Sequence, residues 1–345
     1  MAAAARVTLA DVYRAHERIM PYIHKTPVFT NATFDKLIGR NAFFKAENLQ
    51  KTGSFKARGA LNAVSNLLQV QDTCTSARPV SSVMSLRERN ANAAGVVTHS
   101  TGNHGQALAW AAQTVGLKCA VIVPRDTPQV KKDAITSYGA ELVLCEPTPQ
   151  SRQETCQRVA EEQGLEFVPP FDHHDVIAGQ GTIGMELLKQ APDLDAILVP
   201  VSGGGMASGI AIAAKAMKPD IKIYLVEAEG KMCEKSLRAG ERLWPNPPRF
   251  LNTIADGIRM QHLGHLTFPI LVDLAEKDVF SISDADMIKG MKFAFERMKL
   301  VIEAASGAAV VAAMSDKLAA MDKDMKNIGV ILCGGNVDID KLPWY

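Results

Sequence analysis

The 345-residue chain carries almost no net charge, with 38 Lys and Arg against 37 Asp and Glu leaving +1. Without a basic excess there is no electrostatic footprint for nucleic acid or an anionic membrane surface, so the expected partner is a small molecule. Long apolar runs are missing as well. No segment approaches the roughly 20 apolar residues of a membrane span, and residues 1–7 are alanine-rich without the apolar core of a signal peptide. A cytoplasmic protein is the expectation. The six cysteines, Cys74, Cys119, Cys145, Cys156, Cys233 and Cys333, include no CxxC pair. Scattered thiols, several in apolar runs, read as reduced and intracellular, not as a disulfide frame or a zinc site. Nucleotide fingerprints are absent too. The glycine run Gly203, Gly204, Gly205 is not GxGxxG, and no lysine follows it as in a Walker loop.

What is present is apolar content of 47%, enough for a large buried core, in a length that suits two lobes. From residue 117 onward short apolar runs alternate with helical periods. A strand is predicted at 119–123, a helix at 129–138 closed by Gly139, a strand at 141–145 and a helix at 151–163 stopped by Gly164. The rhythm resumes with strands at 196–201, 221–226 and 327–332 and helices at 206–217, 288–298 and 305–314. Such alternation predicts an α/β fold whose parallel sheets are covered by helices on both faces, with ligands at the carboxyl ends of strands. Residues 69–92, rich in Ser, Arg, Asn and Thr, break the period and read as an exposed loop or insertion.

Four short segments carry chemistry. In Gly53, Ser54, Phe55, Lys56, Ala57, Arg58, Gly59 one lysine stands between a hydroxyl–aromatic pair and a basic, glycine-closed turn, as a lysine that binds a pyridoxal aldehyde does. Alone, the segment also fits a solvated surface pair. Ser202 to Met206 follows an apolar strand and opens a helix, where backbone N–H groups close around a phosphate monoester. A packed strand-to-helix turn would need the same glycines, and the residues leave both readings open. Ser100, Thr101, Gly102, Asn103, His104, Gly105, Gln106 form a second small-residue turn, suited to a carboxylate or to an ordinary helix N-cap. His104 reads as a capping or packing residue. Cys333, Gly334, Gly335, Asn336 end the strand at 327–332, with a thiol able to meet a ring nitrogen or simply to be buried.

Over nearly its whole length the chain resembles the serine/threonine dehydratase group of fold-type II pyridoxal 5'-phosphate (PLP) enzymes, most closely the serine racemases within it. The resemblance runs through His24, Thr26 and Pro27, residues 51–60, 99–106, 178–182, 200–209, 254–257 and 296–303, then Ser306, Gly307 and 334–338. It implies a tryptophan synthase β-like fold of two three-layer lobes with mostly parallel sheets. Residues 1–70 and 171–345 would form the large lobe, and 71–170 the small one. Lys56 is implied to bind the cofactor aldehyde, Phe55 to pack on the ring and Asn103 to bond the phenolic oxygen. Ser202, Gly203, Gly204, Gly205 and Met206 would hold the phosphate, and Cys333 would face the pyridine nitrogen as a neutral partner. Ser100 and Arg152 are implied substrate contacts, and Thr101 the acid/base on the face opposite Lys56. The implied activity is racemisation of serine with L-serine dehydratase activity beside it, in a homodimer. Rival readings are a serine/threonine ammonia-lyase, an aspartate racemase and a non-catalytic binding protein on the same fold.

The chain also departs from the resemblance. Thr101 stands where serine racemases carry a serine, and its extra methyl group could shift the balance towards elimination. The group's divalent-cation (Mg2+ or Mn2+) site pairs a glutamate, matched by Glu227, with an aspartate, and here Met232 or Cys233 holds that second position. A hard cation would then need Glu229 or Glu234. For an ATP effector site, Lys51, Thr52, Gln106, Tyr138, Lys299 and Asn336 match, whereas Tyr13 and Asn31, Ala32, Thr33 do not. Residues 148–151, Thr-Pro-Gln-Ser, lack the serine run that aspartate racemases of the group tend to carry.

Overall fold

A computed structural model describes residues 6–75, 93–100, 102–244 and 250–344, with side chains described for all of these except 69–75. Among the described residues ten strands, β1 (Val28–Phe29), β2 (Asn41–Ala46), β3 (Gly95–Thr98), β4 (Lys118–Pro124), β5 (Glu141–Cys145), β6 (Leu165–Phe167), β7 (Ala196–Pro200), β8 (Lys222–Ala228), β9 (Phe280–Ile282) and β10 (Asn327–Leu332), build two sheets. One has the order β1-β2-β10-β7-β8-β9, parallel except for the β1–β2 pair. The other, β5-β4-β3-β6, is wholly parallel and drawn from one contiguous stretch of chain. Parallel strands covered on both faces read as unbroken apolar runs. That is why β7, buried at every residue, and β10 are so plain in the sequence. The chain is α/β, as expected.

Helices fill both faces of each sheet. His174–Gln190 and Gly205–Met217 pack so closely that a methyl group on Gly209 would lie 2.3 Å from the Ile177 carbonyl oxygen. Behind the larger sheet, Arg58 is fully buried between two carboxylates. It donates to both oxygens of Glu47 (2.8 and 2.8 Å) and both of Glu186 (2.8 and 2.9 Å). Lys45, equally buried, donates to Glu186 Oε2 at 2.8 Å, to the Thr26 carbonyl and to Gln190. Two cations and two anions therefore close a neutral network that ties β2, the start of helix Lys56–Thr75 and helix His174–Gln190 together.

Two local expectations need correction. Residues 69–75 are not loop but the last turns of helix Lys56–Thr75. Nothing from Leu67 to Thr75 breaks a helix already nucleated by its buried first half. Residues 76–92 lie outside the described part of the chain. The helix predicted at 288–298 is α-helical only over Asp284–Phe293. It widens into a π turn at Ala294–Met298 and stops at Lys299, whose φ is +60°.

Candidate active site

The carboxyl ends of β3, β7 and β10 converge on one cavity of about 950 Å³. Lys56 opens its helix at this wall, held by the backbone of its neighbours. Phe55 N–H donates to the Cys333 carbonyl at 3.0 Å, and Ser54 bridges Gly334. The Lys56 amine donates to the Pro170 carbonyl and lies 5.0 Å from the Phe55 ring centroid. Among the described residues it has no carboxylate within ion-pair distance. Burial drives its pKa from 10.5 down to about 8, only partly offset by Cys333 and Glu303. A lysine in this state gives up its proton near neutral pH.

Opposite stands the glycine turn. β7 ends at Pro200, and Gly204, at φ +96°, turns the chain into helix Gly205–Met217. A methyl group on Gly203 would lie 2.4 Å from the Phe171 ring, and one on Gly204 2.8 Å from Thr267 Oγ1. Packing therefore demands these glycines. No side chain caps this helix, and Ser202, Gly203, Gly204, Gly205 and Met206 all line the cavity. Uncapped first-turn N–H groups beside a cavity can take an anion, and the contacts of Gly203 and Gly204 meet the packing reading of the turn.

The third wall comes from Asn103, Glu303 and Cys333. Asn103 Nδ2 donates to both Glu303 oxygens (3.1 and 3.0 Å), and its Oδ1 accepts from Asn336 at 2.9 Å. Burial raises Glu303 to about 7. The Cys333 thiol, 3.4 Å from Ser306 Oγ and 3.8 Å from Glu303 Oε1, is pushed far up by burial and stays neutral. His104 is buried, bonded to the Val168 carbonyl at 2.9 Å and driven by burial down to about 3. It is a neutral packing residue, as its position in the sequence suggested.

Ser100 and Arg152 also line the cavity. Arg152, near the start of helix Pro149–Gln163, donates to the His99 carbonyl, and its buried Nε has no partner among the described residues. Thr101 lies outside the described residues. Several lining residues escaped sequence reasoning as site residues, Glu303 and Arg259 among them. Glu303 had entered only as part of a resembling segment, and Arg259, stacked 4.6 Å from Phe250, had no motif around it.

The remaining positions sit elsewhere. Lys51 and Thr52 form the turn before Lys56, with Thr52 at φ +58°. Gln106 is on helix Asn103–Val115, and Tyr138 packs on the core of the smaller sheet. Lys299 and Asn336 are exposed, and Asn336 Nδ2 also donates to the Thr52 carbonyl at 2.8 Å. Glu227 ends β8 buried, its Oε2 accepting from Cys233 N at 3.1 Å. Glu234 turns away to Arg238, Lys317 and the Val279 N–H, and Glu229 is exposed. Neither completes an oxygen shell around Glu227. Among the described residues no group of three His, Cys, Asp or Glu could hold a metal, so this donor set does not fit a hard divalent cation.

The family described as pyridoxal-phosphate dependent enzyme matches residues 19–334. The chain belongs to that family. It is 44% identical to serine racemase from Homo sapiens, with 98% of this chain and 94% of that protein covered. The solved serine racemase from Dictyostelium discoideum is 42% identical, with a TM-score of 0.85 over 97% of this chain and 100% of that one. A solved pyridoxal 5'-phosphate-dependent aspartate racemase is 53% identical, with a TM-score of 0.91 over 99% and 100%. The fold-type II expectation holds, and the residues present fit PLP. One cavity joins a lysine of lowered pKa, an uncapped helix start for a phosphate, and a neutral thiol.

Proposed function

We propose that this PLP-dependent enzyme interconverts L- and D-serine and, as a side reaction, eliminates water from L-serine to aminoacrylate, which takes up one water in hydrolysis to pyruvate and ammonia. Bound PLP supplies the electron sink that makes the Cα proton of an amino acid acidic. The carrying observation is Lys56, an amine pushed to about 8 at the cavity wall facing the glycine cradle. Lys56 takes the Cα proton on one face of the substrate, and Thr101 returns one on the other. Asn103, steadied by Glu303 and Asn336, orients the cofactor's oxygen. Cys333, neutral and hydrogen-bonded, leaves the ring nitrogen unprotonated. Ser100 and Arg152 hold the substrate carboxylate as residues 71–170 close as one lobe. The test is a chiral amino-acid assay beside a pyruvate assay on L-serine. D-serine and pyruvate should both form, and neither forming from L-serine would sink this reading.

A second reading, racemisation of aspartate, is favoured by the 53% identity to an aspartate racemase and by two guanidinium groups, Arg152 and Arg259, on one cavity. A substrate with a side-chain carboxylate would use the second of them. Comparing kcat/KM for L-serine and L-aspartate decides between the two. We further propose a cytoplasmic homodimer, a setting that buried free thiols suit, with ATP as an effector held by Lys51, Thr52, Gln106, Tyr138, Lys299 and Asn336. The Asn336 bonds to both Thr52 and Asn103 support that reading, because they link this surface to the cofactor's oxygen partner.

A further inference from the structure

The unmatched cation site holds a residue of its own. Directly after β8, Gly230 at φ +88° turns the chain, and Lys231 folds back under β7, only 7% exposed. Its ammonium donates to the Val201 carbonyl at 3.0 Å and to the Ser202 carbonyl. Those two carbonyls lie directly after β7, where the chain enters the glycine turn. Burial lowers the pKa of Lys231 from its usual value, opposed in part by Cys233 and the buried Glu227, and His262 is a further titratable group that faces the amine.

Two carbonyl oxygens that converge in a buried site make a negative pole that needs donors to meet it. A hard divalent cation would require several more oxygen ligands, and Met232 or Cys233 holds the position of the second carboxylate, the Cys233 thiol being pushed by burial up to about 12. An ammonium, with three donors and one charge, satisfies the two carbonyls without any added ligand. We propose that the Lys231 ammonium is a built-in cation that fixes the Val201–Ser202 carbonyls, and through them the phosphate cradle, so that the enzyme works without a divalent metal. Lys231 is thus a positioning residue. The inference rests on the cradle's being the PLP phosphate site.

The experiment uses holoenzyme reconstituted with PLP, read by its visible absorption band and by cofactor retention on dialysis. Absence of any PLP band would defeat the cofactor reading itself, an outcome distinct from a band that forms and then responds to metal or to substitution of Lys231. With PLP bound, extended chelation should change retention and racemase activity by less than about twofold, as expected where no metal ligand set exists. A chelator-induced loss of retention reversed by magnesium overturns the proposal. Lys231→Met should weaken PLP binding at least tenfold, and retention within twofold of the parent overturns it. Lys231→Ala combined with Cys233→Asp restores room and a carboxylate, so magnesium should recover PLP retention in that variant. Failure of magnesium to do so would show that Lys231 does not stand on a cation position. Should Lys231→Met not fold, the chelation result on the unaltered enzyme and the double variant decide.

Discussion

Lys56 and Arg58 stand two residues apart at the start of one helix and meet opposite surroundings. Arg58 points into the protein, where four charge-assisted bonds to Glu47 and Glu186 raise its pKa despite full burial. Lys56 points into the cavity, where burial is not matched by any carboxylate contact among the described residues and its pKa falls to about 8. Positions two apart on a helix face different ways, so the same chain turn can place one cation where it is locked and another where it is labile. A compensated charge holds the fold in place. An uncompensated one is available for proton transfer.

Removing each partner should separate the two roles. Lys56→Ala should abolish racemisation and elimination alike, by on the order of 10²–10⁴-fold, the usual weight of a positioned acid/base. Borohydride reduction of the parent should leave the pyridoxyl group on Lys56, and mass spectrometry finding it on another lysine would break the comparison. Arg58→Met leaves Glu47 and Glu186 buried without their guanidinium, so urea unfolding should show a loss of about 3–5 kcal/mol. Lys56→Ala should cost little by the same measurement.

Thr101 sharpens the catalytic side. Thr101→Ala should cut D-serine formation at least about tenfold while pyruvate formation from L-serine persists, because elimination does not need a proton on the second face. Thr101→Ser should raise the racemase share. Equal losses in both assays would assign Thr101 to positioning only.

The smallest effect concerns pH. Burial raises Glu303 from 4.5 to about 7, and Glu227 likewise. Between those values the folded protein binds more protons than the unfolded chain, so the stability these groups contribute is full below 4.5 and lost as pH rises through about 7. Glu303→Gln should flatten that decline in unfolding free energy measured from pH 5 to 8, whereas an unchanged slope would mean that Glu303 is already ionised.

How much of this was legible in the chain depends on where each partner comes from. Strands 141–145 and 327–332 were bounded correctly because each is a short apolar run closed by turn residues, the second buried along nearly its whole length and the first lying at a sheet edge. Helix His174–Gln190 left no clear mark, since Gly179, Gly181 and Gly184 look like breakers and are in fact contact points with neighbouring backbone. Lys56, the glycine turn and Cys333 were visible through local motifs. The Arg58 network was not, because Glu186 lies 128 residues away and only the fold brings it near. Glu303, 200 residues from Asn103, was missed as a site residue for the same reason.

The place of β10 has a consequence for how the molecule is made. It is the last of the described strands, yet it lies in the middle of the larger sheet, between β2 and β7. As the chain leaves the ribosome, β2 and β7 therefore emerge long before the strand that joins them and expose unpaired edges meanwhile. Cys333 and Gly334, which anchor Phe55, Ser54 and Glu303, arrive with that strand. The cofactor pocket is thus completed only once residues 327–334 have been made, and a nascent chain stalled before residue 327 has the lysine but no pocket to hold it in.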